Sequence, residues 1–138
     1  MAKQDVELAD RPVSANQMLE EARKNVPEVT ASETKSRLDR GEVDLILDVR
    51  EPEEWEKGHI PGAVHAVRGM LEWYADPTSP YAKREITSKQ DGRVVLHCSL
   101  GGRSLLAADM MRKMGYKNVA SMVGGFTDWE AKGLPVKR

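Results

Sequence analysis

The chain has 138 residues, enough for one domain with its own core and too few to expect two. A hydrophobic fraction of 40%, a charged fraction of 31% and a net charge of −1 set up no strong field, so neither nucleic acid nor an anionic membrane surface is indicated as a partner. No apolar run approaches the ~20 residues of a membrane span and the first residues lack the apolar stretch of a secretory signal, so the expected compartment is the cytoplasm.

Taken in chain order, residues 1–13 are polar and unpatterned and read as a loose tail. Ser14 with Gln17 three residues later is a capping-box pattern, which predicts a short helix to about Asn25 that Pro27 stops. A second helix is expected over 30–41, capped by Thr30 or Ser32, with Glu33 in its first turn and Gly41 at its end. "VDLILDV", 43–49, is short, apolar and partly β-branched, the pattern of a strand buried on both faces. "EPEEWEKG" then has Pro52 and acidic residues early and Gly58 late, a brief helix. "HIPGAVHAV" reads as a turn and a short strand.

Residues 68–81 mix apolar and turn residues. Met70, Leu71, Trp73 and Tyr74 suggest a packed excursion at the rim of a site. "GRVVLHC", 92–98, is a second buried strand, and 103–115 a helix with Leu105, Leu106, Met110 and Met114 near helical spacing. "KNVASMV" is a last strand and "GGFTDWEAKGLP" a closing helix. Strands alternating with helices of these lengths predict an α/β fold, a parallel β-sheet flanked by helices on both faces. The expected division is a tail and short helix over 1–26 and the main domain over 27–138.

Cys98 is the single cysteine, which excludes an internal disulfide and a cysteine-based zinc site. It stands where a buried parallel strand ends and a helix is about to begin, the position where open α/β sheets place their sites. A glycine-rich turn there converges backbone N–H groups, and the helix start adds positive partial charge. Both stabilise a thiolate. A buried cysteine acting as a small hydrophobe is the alternative from position alone. Gly101, Gly102 and Arg103 tip the balance towards chemistry.

Three stretches then carry a resemblance. "DVREPEEWEKGHIPGAVHA", 48–66, resembles the first signature of the rhodanese (sulfurtransferase) family. "HCSLGGRS" resembles that family's active-site loop, and "MVGGFTDWEAKGLPV", 122–136, its C-terminal signature. Their order and spacing fit one rhodanese-like domain over about residues 27–137. The resemblance implies a catalytic Cys98 that takes sulfane sulfur from a donor such as thiosulfate as a persulfide. A thiol or cyanide-like acceptor, or a protein acceptor, then receives it. It implies an active-site loop of Ser99, Leu100, Gly101, Gly102, Arg103 and Ser104, with Asp48 and Arg50 in support. No cofactor is implied.

From Cys98 to Arg103 the loop is C-x4-R, six residues, similar to sulfur-transferring members; the related phosphatases carry one residue more. Members that prefer thiosulfate often place basic residues directly after the cysteine. Ser99 and Leu100 stand there instead, which counts against thiosulfate as the physiological donor, and Arg103 is the loop's only cation. His59 reads as a turn-holding residue, since persulfide transfer from a preformed thiolate needs no general base. His59, His65 and His97 lack metal-ligand spacing, so no metal is expected. Trp129 and the Met110, Met111 and Met114 cluster read as packing. The competing functions are a cysteine-dependent phosphatase or arsenate reductase, and a non-catalytic interaction module.

Overall fold

A computed structural model describes residues 11–138; the tail expected over 1–13 lies mostly outside the described residues. The described chain holds seven α-helices and five strands. In order these are α1 (Ala15–Asn25), β1 (Glu28–Val29), α2 (Ala31–Asp39), β2 (Leu45–Asp48), α3 (Pro52–Glu56), β3 (Val64–His65), α4 (Leu71–Tyr74), α5 (Arg84–Thr87), β4 (Arg93–His97), α6 (Gly102–Lys113), β5 (Asn118–Met122) and α7 (Gly125–Ala131). A single 3-10 turn, Arg68–Met70, leads into α4. No helix among the described residues is long and apolar enough to cross a membrane.

The strands form one sheet in the order β1-β5-β4-β2-β3, and every pairing is parallel. Alternation along the strands sends side chains to opposite faces. Leu45, Leu47, Val94, Leu96 and Val119 face a core shared with Ala22 of α1 and with Leu105, Ala108 and Met111 of α6. Ile46, Val95, Ala120 and Met122 face a second core with Ala31 of α2 and with Phe126 and Trp129 of α7. The sheet is thus covered on both faces, as the alternation of elements predicts.

Local chemistry explains the helix starts. In α1 the Gln17 amide donates to Ser14 Oγ at 3.1 Å, and the Ser14 amide donates to Gln17 Oε1 at 2.7 Å. Thr30, not Ser32, caps α2: the Glu33 amide donates to Thr30 Oγ1 at 3.0 Å. Helix α1 is built into the fold, because Ala22 and Val26 are buried in the same core as α6.

The segment 68–81 is part of the crossover between β3 and β4. Leu71 is fully buried and the Tyr116 hydroxyl donates to the Ala75 carbonyl at 2.7 Å, while Trp73 stays half exposed. Its start lies just beyond the carboxyl end of β2, where the Arg68 amide donates to the Val49 carbonyl at 3.1 Å. Two short elements carry no clear sequence signal. β1 is two residues long, paired to β5, and α5 is a single turn around the buried Ile86.

Candidate active site

Cys98 follows the last residue of β4, and α6 starts at Gly102, so the loop joins a strand end directly to a helix start. The Cys98 side chain is almost completely buried and faces the α6 side of the sheet. The Gly101 amide donates to Sγ at 3.0 Å, and the Ser104 hydroxyl lies 3.6 Å from it. Ser104 Oγ also shares a hydrogen bond of 2.8 Å with Ser121 Oγ from β5. Ser104 Oγ also lies 3.2 Å from the Gly101 carbonyl, so when Ser121 donates to Ser104 the single Ser104 proton is shared between that oxygen and sulfur. Burial alone pushes the Cys98 thiol up. The Ser104 hydroxyl and the amides of Ser104, Gly101 and Leu100 outweigh it, so the thiol titrates below its ordinary value.

The loop's shape is imposed from α7. The amides of Phe126 and Thr127 donate to the carbonyls of Cys98 and Ser99 at 2.8 and 3.1 Å. Those bonds turn the two carbonyls away from sulfur and tie the loop to the second core. Gly125 makes the approach possible. A Cβ there would stand 2.5 Å from the Cys98 carbonyl oxygen and from the Ser99 backbone, and its φ is +55°. On the other side Gly101, at φ +120°, turns the chain into α6.

Arg103 and Ser99 are drawn together by a residue that carries no signal of its own in the sequence. Glu54 Oε1 and Oε2 accept from Arg103 NH1 and NH2 at 2.8 and 3.0 Å, and Oε2 also accepts from the Ser99 hydroxyl at 2.6 Å. The remaining acceptor position is used at home: the Glu51 amide donates to Glu54 Oε1 at 3.0 Å and caps α3. Hydrogen bonds from Arg103, ahead of every other influence, hold the Glu54 carboxyl down at about 2. Glu54 is ionised at any working pH. Its place in α3 is shared with two other acidic residues, Glu53 and Glu56, so spacing alone could not distinguish it.

Asp48 and Arg50 lie beneath the loop, both buried. Asp48 accepts from Arg50 Nε and NH2 at 3.0 and 2.8 Å, and Arg50 also donates to the Gly58 carbonyl at 2.8 Å. Burial works against the Asp48 carboxylate, yet the Arg50 hydrogen bonds and the nearby His97 bring its titration below the usual value. The Arg50 guanidinium stacks 4.2 Å from the centre of the Phe126 ring, so it reaches the loop through the residue whose amide holds Cys98. His97 is fully buried. Its Nδ1 lies 3.2 Å from the Cys98 carbonyl, its Nε2 is 3.5 Å from Asp48 Oδ2 without a hydrogen bond, and burial holds its titration down.

The other histidines serve turns. His59 stacks on Trp55 with ring centres 3.6 Å apart and Nδ1 3.1 Å from the Trp55 carbonyl; His65 Nε2 donates to the Arg50 carbonyl at 2.7 Å. Trp129 is buried and donates to the Pro135 carbonyl at 2.8 Å. Leu100 is the outlier of the loop: 73% of it is exposed at the tip.

This geometry can hold a thiolate, and an atom attached to it, inside a ring of N–H donors. Similar chains have been described. The family model for the rhodanese-like domain matches residues 30–132. YrkF of Bacillus subtilis, named as a candidate sulfur carrier protein, is 38% identical over 108 residues; the match covers 78% of this chain but only 53% of YrkF, so this chain spans about half of that relative. Among solved structures, RPA3614 of Rhodopseudomonas palustris, described as a protein of unknown function and a possible tyrosine phosphatase, is 38% identical. It superposes with a TM-score of 0.85 over 92% of this chain and 96% of that one. The human single-domain sulfurtransferase TSTD1 is 31% identical, with a TM-score of 0.66 over 78% of this chain and 98% of its own. With three quarters of its length under the family model and a whole solved domain of this kind superposed on it, the chain belongs to the rhodanese-like domain family.

Proposed function

We propose that this protein is a sulfurtransferase in which Cys98 takes up sulfane sulfur as a persulfide and passes it to a thiophilic acceptor. The observation that carries the reading is the seat of Sγ. A buried sulfur receives the Gly101 amide at 3.0 Å, with the Ser104 hydroxyl behind it, in a six-residue loop. The same donors that favour the thiolate favour a terminal persulfide sulfur placed in the ring, in the manner of an oxyanion hole. Ser99 to Ser104 form the wall of that ring, and Asp48 and Arg50 support it from below. A small donor and a small thiol or cyanide-like acceptor suit a sulfur that is almost completely buried, and a protein-borne thiol on an extended arm is compatible with it. A thiol that cycles through a persulfide is best kept in a reducing compartment such as the cytoplasm.

The description of RPA3614 raises phosphoryl transfer as the second reading. Two features argue against it. A six-residue loop leaves less room for three equatorial oxygens, and the carboxyl that is hydrogen-bonded to the loop's side chains is Glu54. Held ionised at about 2, it has no proton to give a leaving group. The test is a pair of assays on the same preparations. The wild-type protein should move sulfur from a sulfane-sulfur donor to cyanide, and Cys98→Ser should lose this to background. Neither should release phosphate from p-nitrophenyl phosphate. Cys98-dependent phosphate release without sulfur transfer from any donor would reverse the assignment.

A further inference from the structure

Arg103 is the loop's only cation, and it is already engaged by Glu54. Both of its terminal nitrogens donate to that carboxylate in a fork-to-fork pair, and NH2 also reaches Ser99 Oγ at 3.2 Å. Such a bidentate pair is the strongest arrangement the two groups can make. The next cation towards the sheet, Arg50, is buried against Asp48. Arg68, at the start of the β3–β4 crossover, is paired with Glu72 at 3.0 Å. At the loop tip, the exposed position is Leu100, which offers only apolar surface. The mouth of the site therefore presents backbone N–H groups and hydrocarbon, with no uncompensated positive charge from these residues.

Thiosulfate reaches a nucleophilic sulfur as a dianion, so its approach to a thiolate needs positive charge to offset repulsion. A persulfide carried on a thiol needs much less, and an aliphatic carrier gains from an apolar lip. We infer that Glu54 is a specificity-determining residue: by neutralising Arg103 it sets the loop to accept sulfur from thiol-borne persulfides in preference to dianionic donors. The inference rests on the sulfurtransferase reading above. In the step it implies, Cys98–S⁻ attacks the outer sulfur of R–S–SH. The new Cys98 S–S bond forms as the donor S–S bond breaks, giving Cys98–S–SH and R–S⁻. The electron pair of the broken bond leaves on R–S⁻, and the proton stays on the transferred sulfur. Nothing is oxidised overall and no co-reactant is needed. Glu54 acts through Arg103 and touches neither reacting sulfur.

The test compares thiosulfate and cysteine persulfide as donors, reading Cys98 persulfide formation by rapid alkylation and mass spectrometry at two ionic strengths. Wild type should show a higher kcat/KM for cysteine persulfide by about tenfold or more, with little salt dependence. Glu54→Gln removes the charge and leaves Arg103 uncompensated. The ratio of kcat/KM for thiosulfate to that for cysteine persulfide should rise about tenfold, through a lower KM for thiosulfate, and this shift in the ratio should fade at high salt. Parallel losses with both donors would mean that Glu54 only holds the loop, and would overturn the inference. If Glu54→Gln does not fold, Leu100→Lys decides, since it adds a cation at an exposed tip without touching the Glu54 bonds. A thiosulfate-specific gain supports the inference; no gain defeats it. Wild type that takes sulfur from neither donor would remove the sulfurtransferase reading and the inference with it. Wild type that transfers sulfur while neither variant shifts the donor ratio would remove the inference alone.

Discussion

Cys98 is buried, and a buried thiol in apolar surroundings is inert unless something stabilises its charge. Here that role falls to a few atoms, and Ser104 is the one a single substitution can remove. Its hydroxyl contacts Sγ at 3.6 Å and is itself positioned by Ser121. Ser104→Ala should therefore raise the pH midpoint of iodoacetamide alkylation and slow alkylation at pH 7 about tenfold, the loss of roughly one charge-assisted hydrogen bond. The wild-type midpoint should lie below that of a free thiol such as N-acetylcysteine. Below the thiol's folded value the protein should lose reactivity as the sulfur protonates; above it the rate should level off. A wild-type midpoint at or above the free thiol would remove the physical basis of the site.

Much at this scale is readable from residue type and order. A lone cysteine after a buried strand, two glycines and an arginine is enough to locate the loop. Ser121 and Glu54 are not readable, because each comes from a distant element and neither belongs to a pattern. Ser121 lies within an ordinary strand, and Glu54 lies among the acidic residues expected at a helix start. Their partners become visible only once β5 lies beside β4 and α3 lies over the loop.

At the scale of elements, the loop is a splint between the start of α7 and the end of β4. The Phe126 and Thr127 amides hold it, and only glycine fits at 125. Gly125→Ala should cost about 1–3 kcal/mol or more from the left-handed backbone and the clash with Cys98, and lower the sulfur-transfer rate by more than about tenfold. Gly41→Ala is the control. Gly41 has a similar φ of +69°, and a Cβ added there would meet nothing within 4 Å, so this variant should lose some stability and keep its activity. Equal effects on activity from both variants would detach α7 from the site. The sequence marks "GGF" as the start of a helix, and that is correct. The same glycines' closeness to Cys98 is a tertiary fact, set by the sheet order β1-β5-β4 that a one-dimensional pattern does not carry.

For the whole molecule, hydrophobic alternation is the strongest guide. The runs at 43–49, 92–98 and "KNVASMV" become the central strands β2, β4 and β5, trimmed by a residue or two at their ends. These runs are legible because burial on both faces keeps their interiors mostly apolar, with Ser121 of β5 the buried polar exception within a strand. The edges are harder. β1 and β3 have two residues each, too short for periodicity, and the β3–β4 crossover uses single helical turns, where caps and spacing have no room to register. That crossover buries Leu71, Ala75 and Ile86 in the core shared with α6, and its start is tied to the sheet where the Arg68 amide donates to the Val49 carbonyl.

The central claim is that Cys98 carries sulfur. The most direct measurement is intact-mass and peptide mass spectrometry of the wild-type protein after brief exposure to a sulfane-sulfur donor, with Cys98→Ser alongside. Wild type should gain one sulfur atom, localised to the peptide containing Cys98. That sulfur should be removed by cyanide or a thiol and be absent from Cys98→Ser. A wild-type protein that gains no sulfur from thiosulfate or from cysteine persulfide, or that gains it equally in Cys98→Ser, would contradict the claim.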